Sequence, residues 1–124
     1  MRLYHYSNTD IKDKIKVNYY GINFFTRNDT KITNIRRSFF YTRPEPEFLL
    51  KNCKFLYIVD IDNSKIYDLT YDVDRLKKRY YFISGILNSI IKKGYLGCKY
   101  RIGNLEIVNL FYDVKIKDKI ILTK

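Results

Sequence analysis

The chain has 124 residues, 46% of them hydrophobic, and its 24 Lys and Arg against 13 Asp and Glu give a formal charge of +11. That length and apolar content predict one domain, residues 1–124, with a core of its own, and exclude a disordered chain. No apolar run reaches the roughly 18 residues a membrane span needs, and Cys53, Cys98 and the lone His5 cannot complete a zinc set.

Residues 3–7 predict the first strand, with Leu3, His5 and Ser7 on one face and Tyr4 and Tyr6 on the other. Ser7 or Asn8 is placed to cap a short helical turn carrying Ile11 and Ile15. Gly21 punctuates the chain, residues 22–26 make a second strand, and Arg27-Asn28-Asp29 is a polar turn. Residues 31–43 are ambiguous, and 36–41 read as a strand or as an ordered loop. Thr42, Pro44 and Glu45 form a capping box ahead of a short helix through Leu50, ending near Asn52.

Residues 54–61 are apolar enough for a central strand. A turn at Asp62-Asn63-Ser64 leads to a further strand over 65–69. Val73, Leu76, Tyr80, Ile83, Leu87 and Ile90 fall at alternating steps of three and four, which predicts one long helix. Asp72 is its N-cap, Lys92-Lys93 suit its negative end and Gly94 closes it. Strands over 97–102 and 105–111 flank Gly103-Asn104, a two-residue hairpin signal. Residues 114–116 and 119–122 add further strand. The order predicts an α+β fold with a largely antiparallel or mixed sheet, one long helix and shorter helices.

Two side chains have chemistry out of keeping with their surroundings. Glu106 is a carboxylate in an otherwise apolar strand, which is costly unless the group is ion-paired, exposed at a rim, or functional. His5 titrates near neutrality and is either a hydrogen-bonded structural residue or a catalyst. The cysteines read as buried free thiols of a reducing compartment. The N-terminus has no signal-peptide apolar region, so the expected location is the cytoplasm of a bacterium or of an infected host cell. No Gly-rich phosphate loop is present, which excludes P-loop and Rossmann nucleotide binding.

Taken together, the segments resemble a small ADP-ribosyltransferase domain. Leu3-Tyr4-His5-Tyr6-Ser7 is similar to that family's LYHGT opening, with Tyr6 in place of the small residue. Ile11, Ile15 and Gly21 follow its next pattern, and Phe24-Phe25-Thr26 resembles its FFT strand. Lys93-Gly94-Tyr95-Leu96-Gly97-Cys98 resembles the GYDG segment, with Leu96 for Asp. Residues 104–111, with Glu106, resemble its late glutamate strand, and Val114-Lys115-Ile116 its closing segment. The matches run in family order across nearly the whole chain.

The resemblance implies a split, two-sheet fold with NAD in the cleft between the sheets. His5 would hold a ribose hydroxyl, and main chain at Tyr6 and Ser7 the carboxamide. Phe25, Phe40 or Tyr41 would stack on nicotinamide beside Thr26. Arg37 or Arg27 would grip the pyrophosphate. Glu106 would support the positive charge that builds on the sugar. Asn104 stands two before Glu106, where arginine-modifying relatives usually carry an acid, so arginine is disfavoured as acceptor. The acceptor this implies is an acidic macromolecule, nucleic acid or protein, and AT-rich coding with small size suits a phage or toxin effector. The +11 charge favours such partners, although solubility and coding bias account for it equally. The competing readings are a non-catalytic nucleic-acid binder, through Arg36-Arg37-Ser38-Phe39-Phe40-Tyr41, and a degenerate domain acting through protein contacts.

Overall fold

The computed structural model of the protein describes residues 1–17, 35–44 and 52–122. The strand expected at 22–26 and the short helix expected before residue 52 lie outside the described residues. The elements run β1 (Arg2–Ser7), β2 (Lys14–Ile15), β3 (Ser38–Tyr41), β4 (Phe55–Asp60), β5 (Ile66–Asp68), α1 (Leu76–Arg79), α2 (Ile83–Lys92), β6 (Gly97–Ile102), β7 (Leu105–Leu110), β8 (Val114–Lys115) and β9 (Asp118–Ile121). Seven strands form one mixed sheet in the order β5-β6-β7-β3-β1-β4-β9, and β2 pairs with β8 in a separate ribbon. Among the described strands, only β5 and β6 pair in parallel. The fold is α+β, as the element order predicts, but apart from the β2–β8 ribbon the described strands form one continuous sheet, not the two sheets with a cleft between them that the resemblance implies.

Period-two alternation assigns the two faces of the sheet. Tyr4 pairs with Tyr41, Tyr41 with Ile107, and Ile107 with Tyr100, so these four share a face. Leu76, Ile83, Ile86, Leu87 and Ile90 of the two helices bury against it, together with Tyr67 and Cys98. The opposite face carries Leu3, Phe40, Tyr57, Val59, Val108 and Leu110, covered by Ile15 and Val114 of the β2–β8 ribbon.

Two expectations are corrected. Ile11 and Ile15 do not share a helical turn: Ile15 lies in β2 opposite Val114. The Tyr57 hydroxyl donates to the Thr9 carbonyl and accepts from the Ile11 N–H, both at 2.7 Å, which draws this segment over the sheet in extended form. The long helix is two helices. The Asp72 carboxylate accepts from the N–H groups of Leu76 and Lys77 and from the Tyr67 hydroxyl, so α1 starts only at Leu76. Tyr80 (φ −123°, ψ 132°) and Phe82 (φ −100°, ψ 146°) are extended and separate α1 from α2. Three consecutive aromatic residues, weak helix formers, occupy this break. Leu76, Ile83, Leu87 and Ile90 are buried as the periodicity requires, but Val73 is exposed.

The hairpin between β6 and β7 forms as expected. Gly103 (φ +59°) takes the first central position of its two-residue turn, which is the type II′ pattern, and Ile102 pairs with Leu105.

Candidate active site

The centre of the sheet is not uniformly laddered. β3 is in register with β7 over all four of its residues, and β1 with β4 over six. Between β1 and β3 the register holds one pair, Tyr4 with Tyr41. Beyond that pair the His5 side chain reaches β3 instead: its Nδ1 lies 2.8 Å from the Phe39 carbonyl oxygen. A carbonyl only accepts, so Nδ1 carries the proton and donates it. In the neutral ring, Nε2 is then a lone-pair acceptor. Burial pushes the His5 pKa below its ordinary value, and the Phe39 bond opposes this more weakly. The ring packs at 5.3 Å from Phe40 and 6.4 Å from Tyr57, centroid to centroid.

Glu106 lies on the same face. Tyr4, Tyr41 and Ile107 share the helix-covered side, so His5, Phe40 and Glu106, each one residue away, point to the other. The Glu106 carbonyl accepts from the Thr42 N–H at 3.3 Å, which keeps β3 beside β7 to this point. Two strand spacings and one two-residue step separate His5 and Glu106, about 12 Å between Cα atoms. They do not touch each other, and the buried Phe40 and Val108 stand between them. Glu106 is 22% exposed and pairs with Arg101, Nη2 to Oε2 at 3.4 Å, the arginine being 59% exposed. It is therefore both ion-paired and near the rim. Asp68 and Lys99, 3.6 Å apart, extend the polar part of this face over β5 and β6.

Ser38 is a further residue of this face that sequence reasoning passed over. It is buried, two positions from Phe40, and its Oγ has no hydrogen-bond partner among the described residues. The available signal was the alternation in Ser38-Phe39-Phe40-Tyr41, which puts Ser38 with Phe40 once the segment is a strand.

The other expected site residues divide. Ser7 shares the His5 face, and its Oγ accepts from the Thr9 N–H at 3.0 Å. Phe40 lies between His5 and Glu106 but is fully buried. Tyr6 and Tyr41 point to the opposite face, where their rings meet edge to face at 6.0 Å, and the Tyr6 hydroxyl donates to the Pro44 carbonyl. Only the main chain of Tyr6 is available to the His5 side. Arg37 is also on the far face, fully buried, stacked 5.4 Å over Phe39 and donating to the Ile35 carbonyl. Its charge lies close enough to Cys98 and Tyr100 to lower their pKa values against the upward push of burial. A guanidinium in that place cannot grip a pyrophosphate beside His5. Phe25, Thr26 and Arg27 lie outside the described residues.

The segment expected to bind nucleic acid is likewise corrected in part. Arg37, Ser38 and Phe40 are buried in a central strand and offer no ring or charge to a base or phosphate. Among the described residues no three His, Cys, Asp or Glu are placed to hold a metal ion, and no helix is long and apolar enough to cross a membrane. His5 and Glu106 therefore share one face of the sheet, with the buried Phe40 ring between them. No family model, curated protein or solved structure matches the chain.

Proposed function

We propose that this chain is a small ADP-ribosyltransferase, using NAD as donor and a macromolecule, nucleic acid or protein, as acceptor. The observation that carries the reading is that His5 and Glu106, far apart in sequence, share one sheet face across β3. The His–aromatic–Glu order of the resemblance thus becomes a spatial order of neighbouring strands, β1, β3 and β7. The single-pair junction of β1 with β3 supports a place where the sheet opens.

In this reading His5 Nε2 accepts a hydroxyl of the nicotinamide ribose, and the Nδ1–Phe39 bond fixes the ring for it. The bond from the ribose anomeric carbon to the nicotinamide nitrogen breaks, and its electron pair leaves with neutral nicotinamide. Positive charge builds on the sugar, and the Glu106 carboxylate, held in orientation by Arg101, stabilises that charge as it forms. A nucleophile of the acceptor then bonds to the anomeric carbon and loses its proton to solvent. An effector role in a bacterium or an infected cell fits the small size and coding bias.

The test is nicotinamide release from NAD by the purified protein, alone and with nucleic acid or cell lysate, beside Glu106→Gln. The reading expects release that falls by about 100-fold or more in the variant, with its fold intact. No release under any condition, together with no rise in Tm on adding NAD, would overturn it.

A further inference from the structure

The break between α1 and α2 has a surface that neither the sheet nor the candidate active site uses. Arg75, Lys77, Lys78 and Arg79 are all exposed, while Leu76 buries and anchors α1. None of the four is in an ion pair among the described residues. Of the acids nearest in sequence, Asp74 pairs with Lys93 at 3.2 Å, and Asp72, bonded to the Tyr67 hydroxyl and the α1 N–H groups, feels the charge of Lys77 without an ion pair to it. The aromatic residues follow at once. Tyr81 is 92% exposed, Phe82 51% and Tyr80 37%, and Tyr71, just before the strip, is 80% exposed. Tyr81 and Phe82 meet edge to face at 4.9 Å, which leaves ring faces open. Tyr80 rests against Gly85, where an added Cβ would come within 2.8 Å of its ring, so the aromatic segment is seated on the first turn of α2.

Rings held in water contribute no burial to folding, and the cations beside them, Lys77 alone partly offset by Asp72, repel one another. Both features are accounted for by a polyanion with flat apolar faces. We propose that residues 75–82 form a docking strip for single-stranded nucleic acid, in which Tyr81 and Phe82 stack on bases and Lys77, Lys78 and Arg79 hold phosphates. An anionic membrane fits less well. α1 has four residues and cannot lay down a long amphipathic face, and aromatic rings rather than aliphatic chains dominate the strip. The strip needs neither His5 nor Glu106, so it stands whether or not NAD is cleaved.

The test is fluorescence anisotropy with a labelled single-stranded oligothymidylate, against a duplex of equal length, polyglutamate and phosphatidylserine vesicles. The single strand should bind best. Tyr81→Ala should weaken it about tenfold, and Tyr81→Phe, which keeps the ring, should not. Replacing Lys77, Lys78 and Arg79 together by Ala should lower the slope of log K against log salt by about two. Circular dichroism should be unchanged, because these side chains are exposed. Binding indifferent to Tyr81→Ala, a salt slope unmoved by the triple variant, or the same variants impairing vesicle or polyglutamate binding in place of the oligonucleotide would each overturn the assignment.

Discussion

Mild acid tests His5 with little interference. It is the only histidine of the chain, and no other side chain of ordinary pKa changes charge between about pH 7 and 5.5. Its folded pKa is lowered by burial. The unfolded chain therefore takes up a proton as pH falls through about 6.5, while the folded chain resists it. Stability is full above the unfolded pKa and declines on acidification until the folded pKa is reached. One proton sets a limit of about 1.4 kcal/mol per pH unit, so the loss between pH 6.5 and 5.5 has a ceiling of about 1 kcal/mol. The assay is urea unfolding across this range for wild type and His5→Asn. The variant keeps an amide N–H for the Phe39 carbonyl and cannot titrate. Asp10, Asp60, Asp62 and Asp72, all held below their ordinary values, contribute stability that is lost only at lower pH. If wild type and His5→Asn share the same pH slope, His5 is not held neutral and the acceptor role of Nε2 fails with it.

Five further outcomes are measurable by urea unfolding. Gly97→Ala should cost about 3 kcal/mol, because the new Cβ would stand 2.3 Å from the Asn109 carbonyl oxygen, a backbone atom that cannot move aside. Gly94→Ala, with open space and only a φ of +90° against it, should cost about half as much. Asp72→Ala removes the acceptor for the Leu76 and Lys77 N–H groups and the Tyr67 hydroxyl, and should cost about 1–3 kcal/mol with faster hydrogen exchange in α1. Glu106→Gln breaks only a half-exposed pair with Arg101 and should cost under about 1 kcal/mol, so lost turnover in that variant would report chemistry. Ser38→Ala should be neutral or stabilising, since the buried Oγ has no partner among the described residues; a concurrent loss of NAD-induced Tm shift would place that hydroxyl on the ligand.

Where local pattern and tertiary packing agree, the fold was legible. Strands at 54–61 and 65–69 and the Gly103-Asn104 hairpin form within a residue or two of their expected bounds. The helix shows the limit of such reading. Periodicity reports which residues face inward, and Leu76, Ile83, Leu87 and Ile90 do so. It does not report that the backbone between them is continuous. Asp72 and the Tyr80-Tyr81-Phe82 run divide it, and the capping bonds of Asp72 act several residues later than an ordinary N-cap would. Ile11 and Ile15 show the converse. Their spacing of four suits a helix, but one is drawn in by Tyr57 and the other by Val114, through contacts about 50 and 100 residues distant in sequence that no local window contains.

The candidate site depends on a single undecided element. With residues 36–41 open between strand and loop, the sequence does not choose between Phe40 and Tyr41 for the nicotinamide ring or exclude Arg37 for the pyrophosphate. As β3, the segment has two parities, and they separate these residues: Ser38 and Phe40 fall with His5 and Glu106, Arg37, Phe39 and Tyr41 with the helices. The register that sorts them is itself long-range, set by β7 pairing along the whole of β3 and by one pair to β1. A slip of one residue in β3 would exchange its two sets and turn Arg37, Phe39 and Tyr41 toward the face of His5 and Glu106. Buried Ser38 and Phe40 between Leu3, Val108 and Leu110 resist that slip, because it would place Arg37 in their apolar setting. The hydrophobic face that sets the register is thus the same face that brings the histidine and the glutamate together.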